Sequence, residues 1–185
     1  MRFFVIIISA IILNGCVSTL PMENNDFSVV LKSEDFHKFG CDSGSDILYG
    51  SAEKEKWDLD GGIEISYVFD SRGENVPCPL FLYSFVYVEK YLDDSSSILT
   101  GMNLGLYYGR SEDYNYIPIE IDIKNIYQEE SYSTVRRGTV IGYSYSGILN
   151  GKAVVYLING YTFETNKEFK EFIMRKLDIV DEYQI

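Results

Sequence analysis

Alternating apolar and polar residues predict several β-strands. Residues 117–124 read Ile-Pro-Ile-Glu-Ile-Asp-Ile-Lys, which places four isoleucines on one face, and Pro118 indicates an edge strand or a strand beginning. Residues 63–69 repeat this alternation. Residues 80–88 are apolar on both faces, as expected of a central strand that is covered on both sides. Residues 98–108 also alternate, which predicts a further strand.

Asn150-Gly151 is the strongest local signal in the sequence, because this dipeptide readily adopts the positive φ values of a type I′ hairpin turn. It separates two apolar stretches, residues 139–148 and residues 152–158. Asn159-Gly160 then predicts the end of the second arm. The sequence therefore predicts a β-hairpin over this region.

The apolar period changes after residue 164, and residues 165–182 are predicted to form an amphipathic helix. Thr165 and Glu168 match the T-x-x-E capping box, in which side chains satisfy backbone donors of the first turn. The apolar positions are Phe169, Phe172, Ile173, Leu177 and Val180. The predicted polar face carries Lys167, Lys170, Glu171, Arg175 and Asp178. Packing on a sheet is favoured over docking into a partner's groove, and a weaker helix is predicted at 34–39.

These elements predict an α+β fold, in which an antiparallel sheet of five to seven strands carries the C-terminal helix on one face. Residues 27–185 are predicted to form one domain, because the turn-rich stretches 42–62, 70–79, 93–97 and 109–116 join elements of a single unit. Long strands followed by a closing helix resemble the sheet-plus-helix sandwich of PsbP-like lipoproteins. This resemblance rests on the order of elements and on no motif.

The first sixteen residues are typical of an export signal. Met1-Arg2 forms a short positive n-region, and residues 3–13 form an apolar run that is too short to span a membrane. Leu13-Asn14-Gly15-Cys16 then resembles the lipobox of bacterial lipoproteins, with Leu at position −3 and a small residue before the cysteine. The alternative is an ordinary secretory signal with a chance cysteine.

The lipoprotein resemblance implies that residues 1–15 are removed and that Cys16 carries a diacylglycerol and a further acyl chain such as palmitate. Several chains anchor a protein firmly, because each buried methylene contributes about 0.8 kcal/mol. Val17 and Ser18 follow the cysteine in place of an aspartate, which indicates the outer membrane, facing the periplasm, of a Gram-negative host. Residues 16–26 show no periodicity and predict an acylated, flexible tether.

Cys41 and Cys78 are the two remaining cysteines, and an exported protein meets oxidising conditions. We expect them to form a disulfide. Closing the loop between them would stabilise the fold by about 4 kcal/mol on the chain-entropy account. A redox-active or metal-binding pair is disfavoured, because C-x-x-C spacing and a histidine neighbour are absent.

The net charge of −12, from twenty-eight acidic and sixteen basic residues, bears on the partner. Removal of Arg2 with the signal peptide leaves the mature chain at −13. Nucleic acid is disfavoured as a partner, because binding it requires a basic face that releases counterions. A basic protein partner fits better, since the field of the acidic chain would steer its approach.

Few residues are suited to catalysis or metal binding. His37 is the single histidine, and no G-x-S-x-G nucleophile signature occurs. Asp58 and Asp60 lie in a Gly-rich stretch but do not match the EF-hand pattern, so they are weak calcium candidates against the simpler interpretation of solvated turns. No cofactor is predicted. Two carboxylates suffice for a glycosidase, and spacing alone does not reveal such a pair.

Tyrosine is abundant, with sixteen residues in the chain. Tyr is favoured at protein interfaces, although it is also a good β-former. The candidate contacts with a protein partner lie in aromatic and acidic stretches: Asp113, Tyr114, Tyr116, Glu129, Glu130 and Tyr132.

Three functions are compatible with these features. The first is a lipid-anchored, non-enzymatic module that binds another protein, and its sharpest form is an immunity protein that neutralises a secreted toxin. The second is an accessory subunit of an envelope secretion or assembly complex. The third, ranked last, is an envelope hydrolase that depends on carboxylates.

The lipobox makes a direct prediction about Cys16. We expect Cys16→Ser to abolish incorporation of a labelled fatty acid and to leave the precursor unprocessed, because the thiol is the site of lipid attachment. Metabolic labelling followed by electrophoresis measures both effects. Fatty-acid incorporation at the wild-type level in the variant would refute the assignment.

Overall fold

The computed structural model of this chain describes residues 18–39, 50–59, 61–71, 81–90, 95–108, 115–119 and 128–185. The following predicted site residues lie outside these ranges: Cys16, Cys41, Cys78, Asp60, Asp113 and Tyr114. The signal peptide, the lipid attachment and the disulfide therefore remain predictions.

Within the described residues, eight antiparallel strands form one sheet in the order β1-β2-β3-β4-β8-β7-β6-β5. Their bounds are β1 Ser18–Thr19, β2 Gly50–Asp58, β3 Gly62–Ser71, β4 Phe81–Glu89, β5 Asn115–Pro118, β6 Gln128–Arg137, β7 Thr139–Leu149 and β8 Lys152–Asn159. The α+β class is confirmed, and the strand count exceeds the five to seven predicted. Pro118 lies in the edge strand β5, as its missing backbone donor requires.

Helices cover both faces of this sheet. They are α1 Asp26–Val29, a 3-10 helix Ser33–Phe39, α2 Ser95–Tyr108 and α3 Asn166–Glu182. We call the side that packs against α1, the 3-10 helix and α3 the α3 face, and the side on which α2 lies the α2 face. The prediction placed a helix on one face only, so the second layer is a finding of the structure.

Residues 98–108 belong to α2, and their prediction as a strand is wrong. Leu99 is buried against the sheet, and Ile98 and Met102 pack beside it. These positions are spaced as on one side of a helix. Their contacts with the sheet favour a helix over the strand that the alternating residues later in the segment predict. The interpretation of 42–62 as a turn-rich connection is also wrong, because Gly50–Asp58 forms the nine-residue strand β2.

The central strands β4 and β8 are buried on both faces, as predicted for β4. Leu82, Val86 and Val88 point into the core under α3. Phe85 and Tyr87 point into the smaller core under α2. The alternation of β4 therefore joins the two cores through one strand.

The predicted hairpin is confirmed. Leu149 pairs with Lys152 across a two-residue turn, in which Asn150 has φ 45° and Gly151 has φ 76°. These positive values at both central positions are those of a type I′ turn. Gly160 follows the end of β8, as predicted, with φ 92°.

Helix α3 begins as its capping box predicts. The Glu168 N–H donates to Thr165 Oγ1 at 3.1 Å, and the Glu168 carboxylate accepts from the Glu164 N–H at 3.0 Å. The apolar stripe is buried, as expected. Lys170 departs from the prediction of a polar face, because it is 2% exposed and its ammonium lies 5.0 Å from the ring centroid of Tyr132. The position of the ammonium over an aromatic face makes this burial tolerable, and the aliphatic stem is suited to an apolar environment.

Residues 18–26 are part of the fold, whereas the sequence predicts a flexible tether up to residue 26. Ser18 and Thr19 pair with β2, and the Leu20 N–H donates to the Lys56 carbonyl at 2.8 Å. Asp26 is 1% exposed. The absence of an apolar period predicts a tether, but such a period cannot reveal isolated buried residues such as Asp26.

Asp26 is held by three donors, which make four hydrogen bonds to its carboxylate. The Lys56 ammonium lies 2.8 and 2.9 Å from its two oxygens, the Glu23 N–H donates at 2.7 Å, and the Tyr183 hydroxyl donates as well. Burial raises the pKa of Asp26, but these hydrogen bonds and the Lys56 charge outweigh it, so the pKa lies below the ordinary 3.8. The carboxylate therefore stabilises the fold in its charged form.

We expect Asp26→Asn to lower the free energy of unfolding at neutral pH by about 3 kcal/mol, because Lys56 loses its partner in a largely buried site. Because the folded pKa is depressed, this contribution is present above the unfolded pKa and is lost as the pH falls through the folded value. Urea unfolding should therefore show the difference between wild type and variant shrinking below about pH 4. Asp178→Asn on the exposed side of α3 serves as the control, and a difference that does not change with pH would contradict the account.

Candidate functional site

Strand β2 separates its charges by face. Its sequence alternates Glu53, Lys54, Glu55, Lys56 and Trp57. Because successive side chains of a strand point to opposite faces, both lysines lie on one face and both glutamates, with the tryptophan, lie on the other.

The two lysines point to the α3 face, where the N-terminal segment holds them. The Lys54 ammonium lies 4.7 Å from the ring centroid of Phe27 and 6.0 Å from that of Tyr67. Lys56 forms the ion pair with Asp26. The positive charges of β2 are therefore engaged on the covered side of the sheet, and its glutamates face away from them.

Glutamates and aromatic residues form three cross-strand rows on the α2 face. One row joins Trp57, Glu64 and Tyr87; the next joins Glu55, Ser66 and Phe85; the third joins Glu53, Val68 and Tyr83. We call these nine residues the acidic–aromatic face. Residues directly opposite in antiparallel strands lie about 5 Å apart, so the nine positions form one contiguous patch.

The side of this patch on β2 is open to solvent, whereas Phe85 and Tyr87 on β4 are buried. Helix α2 packs mainly on β4, β7 and β8, on one side of it. Glu53 and Glu55 are exposed, and Trp57, Glu64 and Tyr83 are half-buried. Strands β2, β3 and β4 contain no other lysine or arginine than the two on the α3 face, so none of these strands places a cation on the patch.

Local contacts order the side chains of the acidic–aromatic face. The Trp57 indole N–H donates to Glu55 Oε2 at 3.1 Å, which holds that carboxylate against the ring. Tyr83 and Phe85 stack with their centroids 6.5 Å apart and their planes inclined by 21°. Flat rings and carboxylates thus lie side by side on the rigid surface of a sheet.

Glu64, on the acidic–aromatic face, has a raised pKa. Burial among the neighbouring strands, and then the charge of Glu55, raise the pKa of Glu64 to about 7. Burial and the charge of Glu64 in turn raise the pKa of Tyr83 to about 12. At neutral pH Glu64 is therefore divided between its two protonation states, and a cation placed beside it would favour the charged form.

Of the residues predicted to contact a partner, the four that the structure describes lie on β5 and β6, away from the acidic–aromatic face. Tyr116 lies on β5 and is half-buried, and Glu129 lies on β6. Glu130 is half-buried and accepts a hydrogen bond from the Tyr132 hydroxyl at 3.1 Å. Tyr132 is 5% exposed, which argues against a direct contact of its side chain with a partner. Its ring packs against Tyr145 and Phe169 in the core under α3.

A small polar cleft lies beside Tyr116. Asn103 of α2 donates to Ser146 at 3.4 Å, and Ser131 and Ser146 face each other across β6 and β7. The cleft has a volume of about 10 Å³. This is room for about one water molecule, so the cleft is too small for an organic substrate.

Asp58, one of the two weak calcium candidates, is paired with a lysine. Its carboxylate accepts from the Lys90 ammonium, which neutralises the charge that would attract a calcium ion. Within the described part of the chain, no group of three or more acidic, histidine or cysteine side chains is arranged to hold a metal. His37 lies in the 3-10 helix.

No protein-family model matches the chain, and no curated protein matches it. Among solved structures, the chain is similar to the solution structure of cyanobacterial PsbP (CyanoP) from Synechocystis sp. PCC 6803. The TM-score is 0.32 and the identity 11%, over 78% of this chain and 96% of that chain. A likeness of this degree carries no argument about function. No helix in the described ranges has both the length and the apolar character needed to cross a membrane.

The acidic–aromatic face is not predicted from the sequence, because the turn residues in 42–62 indicate a connection and not a strand. The signal was present in the sign of the charges, which alternates with a period of two from Glu53 to Lys56. An apolar period alone does not detect such a strand, because neither of its faces is apolar over these positions.

The Glu64 carboxyl should titrate near pH 7, and Glu55→Gln should lower that midpoint, because it removes a negative neighbour. Carboxyl carbon NMR over a pH series measures both, with Glu171→Gln on α3 as a control that leaves the midpoint unchanged.

The same raised pKa has a consequence for stability. Since Glu64 binds its proton more tightly when folded, the wild type loses stability as the pH rises from about 4.5 to about 7. Glu64→Gln should not show this loss. A Glu64 midpoint near the ordinary value of 4.5 would contradict the account of its environment.

Proposed function

We propose that this protein is a lipid-anchored, non-enzymatic envelope module that binds a basic segment of a protein partner through the acidic–aromatic face. One observation supports this most strongly. Glu53, Glu55 and Glu64 lie among Trp57 and Tyr83 on one patch, and β2, β3 and β4 place no cation on it.

The chemistry of the patch suits arginine and lysine side chains. A guanidinium can stack on an aromatic ring while its N–H groups pair with a carboxylate, and such charge-assisted bonds are among the stronger polar contacts. The indole of Trp57 beside the Glu55 carboxylate offers both partners within one residue pair. The net charge of −12 would add long-range attraction for a basic protein and raise the rate of encounter.

The proposed location follows from the lipobox. Acylation of Cys16 would hold the protein on a membrane of the cell envelope, and Val17-Ser18 favours the outer membrane, facing the periplasm. In this place the role that fits best is an immunity protein, which neutralises a basic toxin as it arrives. An accessory subunit of a secretion or assembly complex would use the same face on a resident partner.

A carboxylate-dependent hydrolase is a second candidate because of Glu64. A glutamic acid with a pKa near 7 beside a second carboxyl group, that of Glu55, matches the pairing of a general acid with a second carboxylate. The position of the pair argues against this role. Glu55 is exposed on a sheet surface, whereas catalytic carboxylates work in clefts that bury the substrate.

A matched pair of triple variants tests the binding face. Glu53→Gln, Glu55→Gln and Glu64→Gln together remove three carboxylates from the acidic–aromatic face. Glu171→Gln, Asp178→Asn and Glu182→Gln remove three exposed carboxylates from α3. The tagged full chain, purified from envelopes in detergent, is used to capture partners from host envelopes and from lysates of competing strains, at low and high salt.

We expect the face variant to lose affinity for the captured partner by about tenfold or more, and the α3 variant to bind as the wild type does. Binding should weaken at high salt, where exposed charges are screened.

A toxin from competing strains would support the immunity role, and a resident complex would support the accessory role. An equal loss of affinity in the two triple variants would contradict the assignment of binding to the acidic–aromatic face. If the wild type hydrolyses an envelope polymer and Glu64→Gln abolishes that activity, the protein is a hydrolase and the binding proposal fails.

A further inference from the structure

One end of the sheet gathers several strand termini. Strand β2 ends at Asp58, β3 begins at Gly62, and β4 ends at Glu89. The Glu89 N–H donates to the Gly151 carbonyl at 3.1 Å, which brings the β7–β8 turn to the same end. We call this the Asp58 end of the sheet.

The chain enters the sheet at the Asp58 end. Ser18 lies opposite Asp58 and Thr19 lies opposite Trp57. The next residue, Leu20, donates its N–H to the Lys56 carbonyl at 2.8 Å. From Ser18 onward the chain therefore runs along β2, away from the Asp58 end, and the preceding residues join the fold at that end.

The proposed lipid attachment is very close to this entry point. Cys16 precedes Ser18 by two residues, and consecutive Cα atoms are 3.8 Å apart, so the two Cα atoms lie within about 7.6 Å of each other. The polar headgroup layer on each side of a bilayer is about 5 to 7 Å thick. An acylated Cys16 thus leaves no room for a spacer between the lipid and the first strand.

The polar groups at this end suit a headgroup layer. The Asp58 carboxylate is paired with Lys90. The Asn150 amide donates to Asp181 at 2.7 Å, and the Lys152 ammonium donates to the Asp181 carbonyl at 2.6 Å. Partnered charges and amides are compatible with the interface and would be costly in the hydrocarbon, so contact without insertion is expected.

We propose that the Asp58 end of the sheet rests on the lipid headgroups, so that the domain is held directly against the bilayer and its opposite end points away. This orientation rests on the acylation of Cys16 in the proposed function. It places the Trp57 end of the acidic–aromatic face next to the membrane, where a partner would be met at the lipid surface. The opposite end, at Thr139, is about 33 Å further along β7.

Trp57 is the single tryptophan of the chain and reports directly on this orientation. The full-length acylated protein is reconstituted into vesicles of phosphatidylethanolamine and phosphatidylglycerol, with or without a nitroxide on the headgroup of part of the lipid. A matched variant combines Trp57→Phe with Thr139→Trp, which moves the fluorophore to an exposed site at the opposite end.

Because nitroxide quenching acts only at short range, Trp57 should lose about half or more of its emission, and the tryptophan at position 139 less than about a tenth. Equal quenching of the two, or stronger quenching at 139, in protein that is acylated and vesicle-bound would overturn the orientation. Two results together would overturn the anchor and with it the orientation. Mass spectrometry would find no acyl group on the wild-type chain, and that chain would fail to bind vesicles, as we expect of Cys16→Ser.

Discussion

Lys56 donates to both oxygens of Asp26, a residue of α1 that is 1% exposed. The two must remain together, because a buried charge without its partner costs several kcal/mol. Since strand side chains alternate, fixing Lys56 on the α3 face fixes Glu55 and Trp57 on the opposite one. The ion pair therefore favours the orientation of β2 that places Glu55 and Trp57 on the surface to which we assign function.

How far sequence predicts this protein depends on the range of the interactions. The Asn150-Gly151 turn and the Thr165 cap depend on residues within four positions, and both were predicted correctly. Helix α2 depends on contacts of Leu99 with distant strands, so the alternation of apolar residues in this segment wrongly predicts a strand. Tyr132 shows the same limit, because nothing near it in sequence reveals that α3 will bury its ring. The acidic–aromatic face spans three strands, and its rows exist only once the β2–β3–β4 register is formed.

The face and the anchor complement each other. If Cys16 is acylated, the chain reaches the sheet within two residues, and Trp57 lies opposite Thr19 near that entry. Glu53, nearer the start of β2, would then lie further from the bilayer than Trp57. A basic partner would then meet a column of carboxylates and rings that rises from the membrane surface. Glu64, with a pKa near 7, makes the charge of this column sensitive to pH and to the arrival of a cation.

The central claim is that a partner binds at the acidic–aromatic face, and the indole N–H resonance of Trp57 tests it most directly. The chain has one tryptophan, so this signal is unambiguous in a nitrogen–proton NMR spectrum. On addition of the partner, the account predicts that the Trp57 signal shifts or broadens together with the backbone signals of Glu55 and Glu64. An unchanged Trp57 signal, with the shifts confined to Tyr116 and Glu130, would contradict it.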